Sequence, residues 1–151
     1  MDVLVCYASL SGNTREVARQ VSAHCSARGH RVHLMDVDDA HAAATAAQPH
    51  DRLLLGCWTD NAGRNPAEMK RFVAALHDIA GVPPAETVAV FGTGETQWGL
   101  EYYCGAVHRL ARHFGSPHPV LEIEQMPHGP ADTRAIHLWT DRVLQPIGVT
   151  A

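Results

Sequence analysis

Val3-Leu4-Val5-Cys6-Tyr7-Ala8-Ser9-Leu10-Ser11-Gly12-Asn13-Thr14 runs from an unbroken apolar segment into a loop of hydroxyls, a glycine and an amide. The apolar segment Val3–Tyr7 reads as a buried strand, and from Thr14 to Arg28 the residues Val17, Ala18, Val21 and Cys25 recur at helical spacing until Gly29 stops the helix. A strand, a tight polar loop and a helix make the first half of a βαβ unit, and the rest of the chain repeats that alternation. Arg31–Met35 alternates only partly and predicts an edge strand; Asp39–Ala47 predicts a short helix ended before Pro49. Arg52–Cys57 is a strand covered on both faces, followed by a helix over Pro66–Ile79 with Met69, Phe72, Val73 and Leu76 on one side. Glu86–Phe91, Glu101–Phe114, Pro119–Glu124 and Ala131–Leu144 continue as strand, helix, strand and helix, the last with Ile136, Trp139 and Val143 inward. Five such units in 151 residues predict one α/β domain over residues 1–151, with a parallel sheet, right-handed crossovers and helices on both faces. In such sheets a ligand lies beyond the carboxyl ends of the strands, so the loops after Tyr7, Cys57 and Phe91 are the ones to question.

Composition narrows the partner. Twelve basic against 16 acidic residues give a net charge of −4 with neutral histidines, and no basic stripe exists to neutralise phosphates, which argues against nucleic acid. No apolar stretch approaches the roughly 18 residues a membrane span needs, and the amino end reads as a strand rather than a signal peptide. Cys6, Cys25, Cys57 and Cys104 contain no CxxC pair and read as buried free thiols of a reducing, cytoplasmic compartment. The 11 histidines are scattered, with His108 and His113 at i,i+5 and no HExxH, so no metal site is expected from their spacing. Their titration near pH 6.5 makes the surface less acidic as pH falls, which weakens steering toward a basic partner.

The loop Ser9-Leu10-Ser11-Gly12-Asn13-Thr14 sits at a helix amino terminus, where backbone N–H groups and the helix dipole favour an anion. It lacks GxxxxGK[ST] and GxGxxG, which leaves a phosphate monoester held by neutral donors; an N-cap by Ser11 needs one hydroxyl, and this loop has three. Ser9-x-Ser11-Gly12-x-Thr14 resembles the phosphate loop of flavodoxins, [ST]-x-[ST]-G-x-T, and the resemblance implies that Ser9, Leu10, Ser11, Gly12, Asn13 and Thr14 hold the phosphate of FMN. Gly56, Thr59 and Gly63 match a second flavodoxin loop, G-T-x-T-W-G-x-G, in which Asp60 and Asn61 stand where the family has an aromatic residue and a glycine. Trp58, Thr59, Asp60, Asn61, Ala62 and Gly63 are thereby implied beside the isoalloxazine, Trp58 either turning toward the ring or packing on a helix.

The longest match is Phe91-Gly-Thr-Gly-Glu-Thr-Gln-Trp-Gly-Leu-Glu-Tyr-Tyr-Cys-Gly-Ala-Val107, similar to the family's F-G-x-G-D-[ST]-x-[YW]-x-Y-F-C-G-A-V, with Gly99-Leu100 as a small insertion. It implies flavin contacts from Thr93, Gly94, Glu95, Trp98, Tyr102 and Cys104, with Trp98 stacking on the ring and the Glu95 carboxylate lowering its potential. Val120–Glu124 continues directly into Gln125–Gly129 without the insertion of long-chain members, so the resemblance is to short-chain flavodoxins. That resemblance implies a three-layer αβα sandwich with strand order 2-1-3-4-5. The function implied is that of a monomeric FMN electron carrier between an upstream reductase, of flavin/NAD(P)H or pyruvate type, and a downstream redox acceptor protein. The Gln97-Trp98-Gly99 and Tyr103-Cys104 segments also resemble flavodoxin-like activators of manganese ribonucleotide reductase, the alternative reading. A phospho-receiver would need an acidic cluster after the first strand, where Ala8-Ser9 stands.

Overall fold

The structure, a computed structural model, describes residues 1–59, 63–99 and 102–146, apart from the side chain of Trp98. Strands β1 (Asp2–Ala8), β2 (Arg31–Asp36), β3 (Arg52–Trp58), β4 (Val88–Gly94) and β5 (Leu121–Glu124) form a parallel sheet in the order β2-β1-β3-β4-β5. The helices are α1 (Asn13–Ala27), α2 (Ala42–Ala46), α3 (Ala67–Ala80), α4 (Gly105–Phe114) and α5 (Gly129–Val143). Side chains that alternate along each strand divide the core in two. Val3, Val5, Leu54 and Phe91 pack with Val17 and Val21 of α1 and with Ile136 and Trp139 of α5. Leu4, Cys6, Leu53, Leu55 and Val90 pack on the other side with Met69, Phe72 and Leu76 of α3 and Val107 and Leu110 of α4. Burial on both faces is why β3 reads as nearly continuous apolar sequence, and β2, at the edge, shows the exposed alternation expected of it. All four cysteines are buried and free, as their spacing predicts.

Three boundaries differ from the sequence reading in ways that matter. β4 starts at Val88 rather than Glu86, because Ala85–Thr87 forms a 3-10 turn after Pro84, closed by Thr87 Oγ1 donating to Pro84 O at 2.7 Å. It also runs past Phe91 to Gly94, since Gly92, Thr93 and Gly94 remain paired with Glu122, Ile123 and Glu124 of β5. The helix expected from Glu101 begins at Gly105, behind Cys104 in the left-handed region at φ 51°. Arg52, which opens β3, is buried: its guanidinium donates to the carbonyls of Val143 and Gln145 at 2.9 Å each, closing the carboxyl end of α5.

Candidate functional site

β1, β3 and β4 are neighbours in the sheet and end at Ala8, Trp58 and Gly94, so the three loops singled out by the sequence open at one edge. Between them lies a cavity of about 420 Å³. One side is formed by Ser9, Leu10, Ser11, Asn13 and Thr14, the other by Trp58, Thr59, Thr93, Gly94 and Glu95.

The first side is built around the amino end of α1. Gly12, at φ 95°, lets the chain turn into the helix and has no side chain of its own to cap it. Ser9 Oγ instead accepts from Gly12 N at 3.1 Å and from Arg15 N at 3.2 Å. With both lone pairs engaged, the Ser9 hydroxyl has its proton left to donate. The amides of Asn13 and Thr14, in the first turn, have no acceptor within the helix. Behind them Thr14 and Thr93, both buried, share a hydrogen bond between their Oγ1 atoms at 2.8 Å. That contact uses one of two hydroxyl protons; the second belongs to a buried hydroxyl on the cavity wall and calls for an acceptor beyond the pair. Hydroxyls, first-turn amides and a helix dipole make a donor set for an oxyanion, and the residues fit a phosphate.

On the second side, Trp58 both faces the cavity and packs on a helix: it lines the wall, and its Nε1 donates to Glu68 Oε1 of α3 at 2.6 Å. Thr59 Oγ1 accepts from Ala106 N at 3.3 Å, tying this loop to the start of α4. Gly63, at φ 75°, lies against Tyr102 and Gly105; a Cβ on Gly105 would stand 2.7 Å from Gly63 O. Asp60, Asn61 and Ala62 lie outside the described residues. Trp98 closes the 3-10 turn Thr96–Trp98, and its proposed stacking concerns a side chain outside the described part. Tyr102 is 40% exposed beside Gly63. Cys104 does not line the cavity: it is fully buried behind Gly94, whose added Cβ would meet Cys104 N at 2.8 Å. Burial pushes its thiol up to about 12, with Glu122 adding to the effect, and burial followed by Glu68 raises Cys57 well above the usual thiol range. Neither thiol is a nucleophile at neutral pH.

Two supporting residues escaped the sequence reading. Glu124, opposite Gly94 in the β4–β5 register, accepts from Thr96 N at 3.1 Å and from Thr96 Oγ1 at 2.9 Å, and Gln125 N donates to Gly94 O at 2.9 Å. The end of β5 therefore pins the turn that carries Trp98. Only the strand pairing reveals this.

The family model for flavodoxin matches residues 5–116. The chain belongs to the flavodoxin family. It is 31% identical over 111 residues to a flavodoxin of Nitratidesulfovibrio vulgaris, covering 72% of each protein, and 29% identical over 143 residues to probable flavodoxin 2 of Bacillus subtilis, covering 89% of each. Among solved structures, oxidised flavodoxin 2 from Bacillus cereus matches with a TM-score of 0.79 at 29% identity, over 95% of this chain and 97% of that one. The flavodoxin family works by FMN-dependent electron transfer, and its members are electron carriers rather than enzymes with a substrate of their own. Among the described residues no helix is long and apolar enough to cross a membrane.

Proposed function

We propose that the cavity holds FMN with its phosphate on Ser9–Thr14 and its ring between the 58–63 and 93–98 loops, and that the chain moves electrons from a reductase to an acceptor protein as a cytoplasmic monomer. The observation that carries this reading is the amino end of α1, where the Asn13 and Thr14 amides have no acceptor within the helix and stand among neutral hydroxyls on the wall of a cavity of about 420 Å³. FMN supplies the redox chemistry; the protein binds it, orients it and sets the charge around it. In this arrangement Ser9, Ser11 and Thr14 donate hydroxyl protons to the phosphate oxygens, and the Asn13 and Thr14 amides add the helix dipole. Trp58 and Trp98 flank the ring plane with apolar surface, Asp60, Asn61, Ala62 and Gly63 are the second loop's contacts to its edge, and Tyr102 covers Gly63 from outside. Glu95 places a carboxylate that disfavours added negative charge on the ring. Cys104 supports Gly94 from behind without touching the cofactor. The upstream reductase, of flavin/NAD(P)H or pyruvate type, and the acceptor meet a chain of net charge −4, so docking relies on shape more than on charge. The activator reading gains no support, since the matched family and the two curated relatives named above are flavodoxins.

Purified protein is expected to be yellow and to release FMN on denaturation. Ser11→Ala should weaken FMN binding about tenfold with little change in potential, as loss of one hydrogen bond to a charged group predicts. Trp98→Ala should weaken binding and shift the potential as well. A colourless protein that takes up no added FMN overturns the proposal; an unshifted potential in Trp98→Ala overturns the stacking assignment alone.

A further inference from the structure

The hydroxyls and amides at the amino end of α1 are neutral, yet a phosphate monoester carries a charge of about −1.5 to −2 at neutral pH. It meets a chain of net charge −4, and the Glu95 carboxylate on the facing wall of the cavity opposes it further. A cation is available beside the loop. Arg15 follows Thr14 in the first turn of α1, where the positive pole of the helix makes a basic residue unfavourable and an acid the usual choice. Its side chain stays at that pole. A Cβ built on Gly12 would meet Arg15 Nη2 at 3.3 Å, so the guanidinium lies over the face of Gly12 that a side chain would occupy. Among the described residues no carboxylate pairs with Arg15 and its guanidinium makes no hydrogen bond. Glu16, the acid of the same turn, reaches instead to Arg19 at 3.5 Å and accepts from Gln20 Nε2 at 3.4 Å. Burial and then Asp36 hold the Tyr7 phenol of β1 above its usual range, and the charge of Arg15 acts against both. The helix thus carries an unpaired cation at the pole that repels it, and an anion seated on that pole removes the conflict.

We propose that Arg15 is a specificity-determining residue of the flavin site, a role that rests on the assignment of the phosphate to Ser9–Thr14: its guanidinium offsets phosphate charge from the outer side of Gly12 and so favours FMN over riboflavin. Arg15 does not line the cavity, so it acts as a charge across Gly12 and not as a further hydrogen-bond donor. That separates it from Ser9, Ser11 and Thr14, whose hydroxyls work only at contact distance. Arg15 is exposed, so its contribution is modest and falls as salt screens it. Glycine at position 12 serves this arrangement twice, by its positive φ and by leaving the space the guanidinium fills.

The test is fluorescence titration of the ligand-free protein with FMN and with riboflavin, at low and at high salt. Arg15→Gln should weaken FMN binding about three- to fivefold at about 20 mM salt, as an exposed charge pair predicts, and the difference should close by about 500 mM. Riboflavin affinity should not change. Arg15→Lys should keep most of the FMN affinity. Arg19→Gln, the same loss of charge one turn further along α1, should leave it unaltered. Arg15→Glu should lower FMN affinity more than Arg15→Gln does, while the melting temperature of the ligand-free protein holds or rises, because an acid suits this end of the helix. Equal losses for FMN and riboflavin, or a loss that persists at high salt, overturn the proposal. Inorganic phosphate gives a reading that does not depend on the flavin: it should shift the amide resonances of Gly12, Asn13 and Thr14 at lower concentration in the parent than in Arg15→Gln. A parent that binds neither flavin overturns the cavity reading, whereas equal phosphate affinities in parent and variant overturn the role of Arg15 alone.

Discussion

The two ends of α1 are built on opposite plans. At the carboxyl end the protein completes itself. Arg28 N donates to His24 O and Cys25 O, Gly29 N to Ser26 O and His30 N to Cys25 O, with Gly29 at φ 87° closing the turn. Asp141 of α5 then gathers His24 Nε2 at 2.8 Å and the Arg28 guanidinium at 3.1 and 3.2 Å. At the amino end Ser9 Oγ takes the Arg15 amide, but the Asn13 and Thr14 amides have no acceptor within the helix, and this end and its hydroxyls line the cavity. One end is a structural join; the other leaves its donors to be satisfied by the negative charge of a ligand. Substitutions at each end should therefore separate stability from binding.

The largest effect should come from Thr14→Val. It removes one half of the buried Thr14–Thr93 hydroxyl pair and leaves Thr93 without that partner, a loss of about 1–3 kcal/mol in the stability of the ligand-free protein. Urea unfolding measures it, and Thr14→Val with Thr93→Val should recover most of the loss because no orphaned hydroxyl remains. Equal stability of the single variant and the parent would mean that the pair exists for the ligand alone. Next in size is Asn13→Asp, which sets a carboxylate in the first helical turn. In a purely structural helix end this is favourable by about 0.3–1 kcal/mol. At an end meant for a phosphate it should also cut FMN affinity about tenfold through like-charge repulsion. Thermal melts of the ligand-free protein and fluorescence titration with FMN should thus move in opposite directions; movement in the same direction would erase the distinction between the two ends.

The amino end of α1 was legible because its chemistry is local: Ser9 to Thr14 are consecutive, and their meaning comes from lying between a strand and a helix. The same holds for the apolar spacing that placed the strands and the longer helices. The opposite side of the cavity was only partly legible, because pairs distant in sequence make it. Trp58 meets Glu68, Gly63 meets Gly105, and Thr96 meets Glu124. Gly92-Thr93-Gly94 reads as the end of a strand on propensity alone. Pairing with β5 overrides that, and a Cβ on Gly92 would drive into Cys57 O of the neighbouring strand. The histidines fail as a linear signal for the same reason. Taken singly they look dispersed, yet helix packing stacks His24 on His137 at 4.2 Å and brings His77 to His113.

The smallest effect tests the closed end. Burial of Asp141 works against its ionisation, but hydrogen bonds from His24 and Arg28, with their charges, reverse this and hold the carboxyl below its usual range. A carboxylate that ionises more readily folded than unfolded adds stability in full above its unfolded pKa of about 3.9, and that stability is lost as pH falls through the lower folded value. The Asp141 side chain is 36% exposed and that of Arg28 58%, so solvent screens the cluster. Asp141→Asn should then cost only about 0.5–1 kcal/mol at neutral pH. The gap between parent and variant, followed by urea unfolding, should persist from neutrality down to about pH 5 and close below about pH 4. FMN affinity should not change, because nothing at this end of α1 faces the cavity. A drop in affinity in Asp141→Asn would mean that the carboxyl end positions the amino end through the length of the helix, and the two ends would have to be treated as one device.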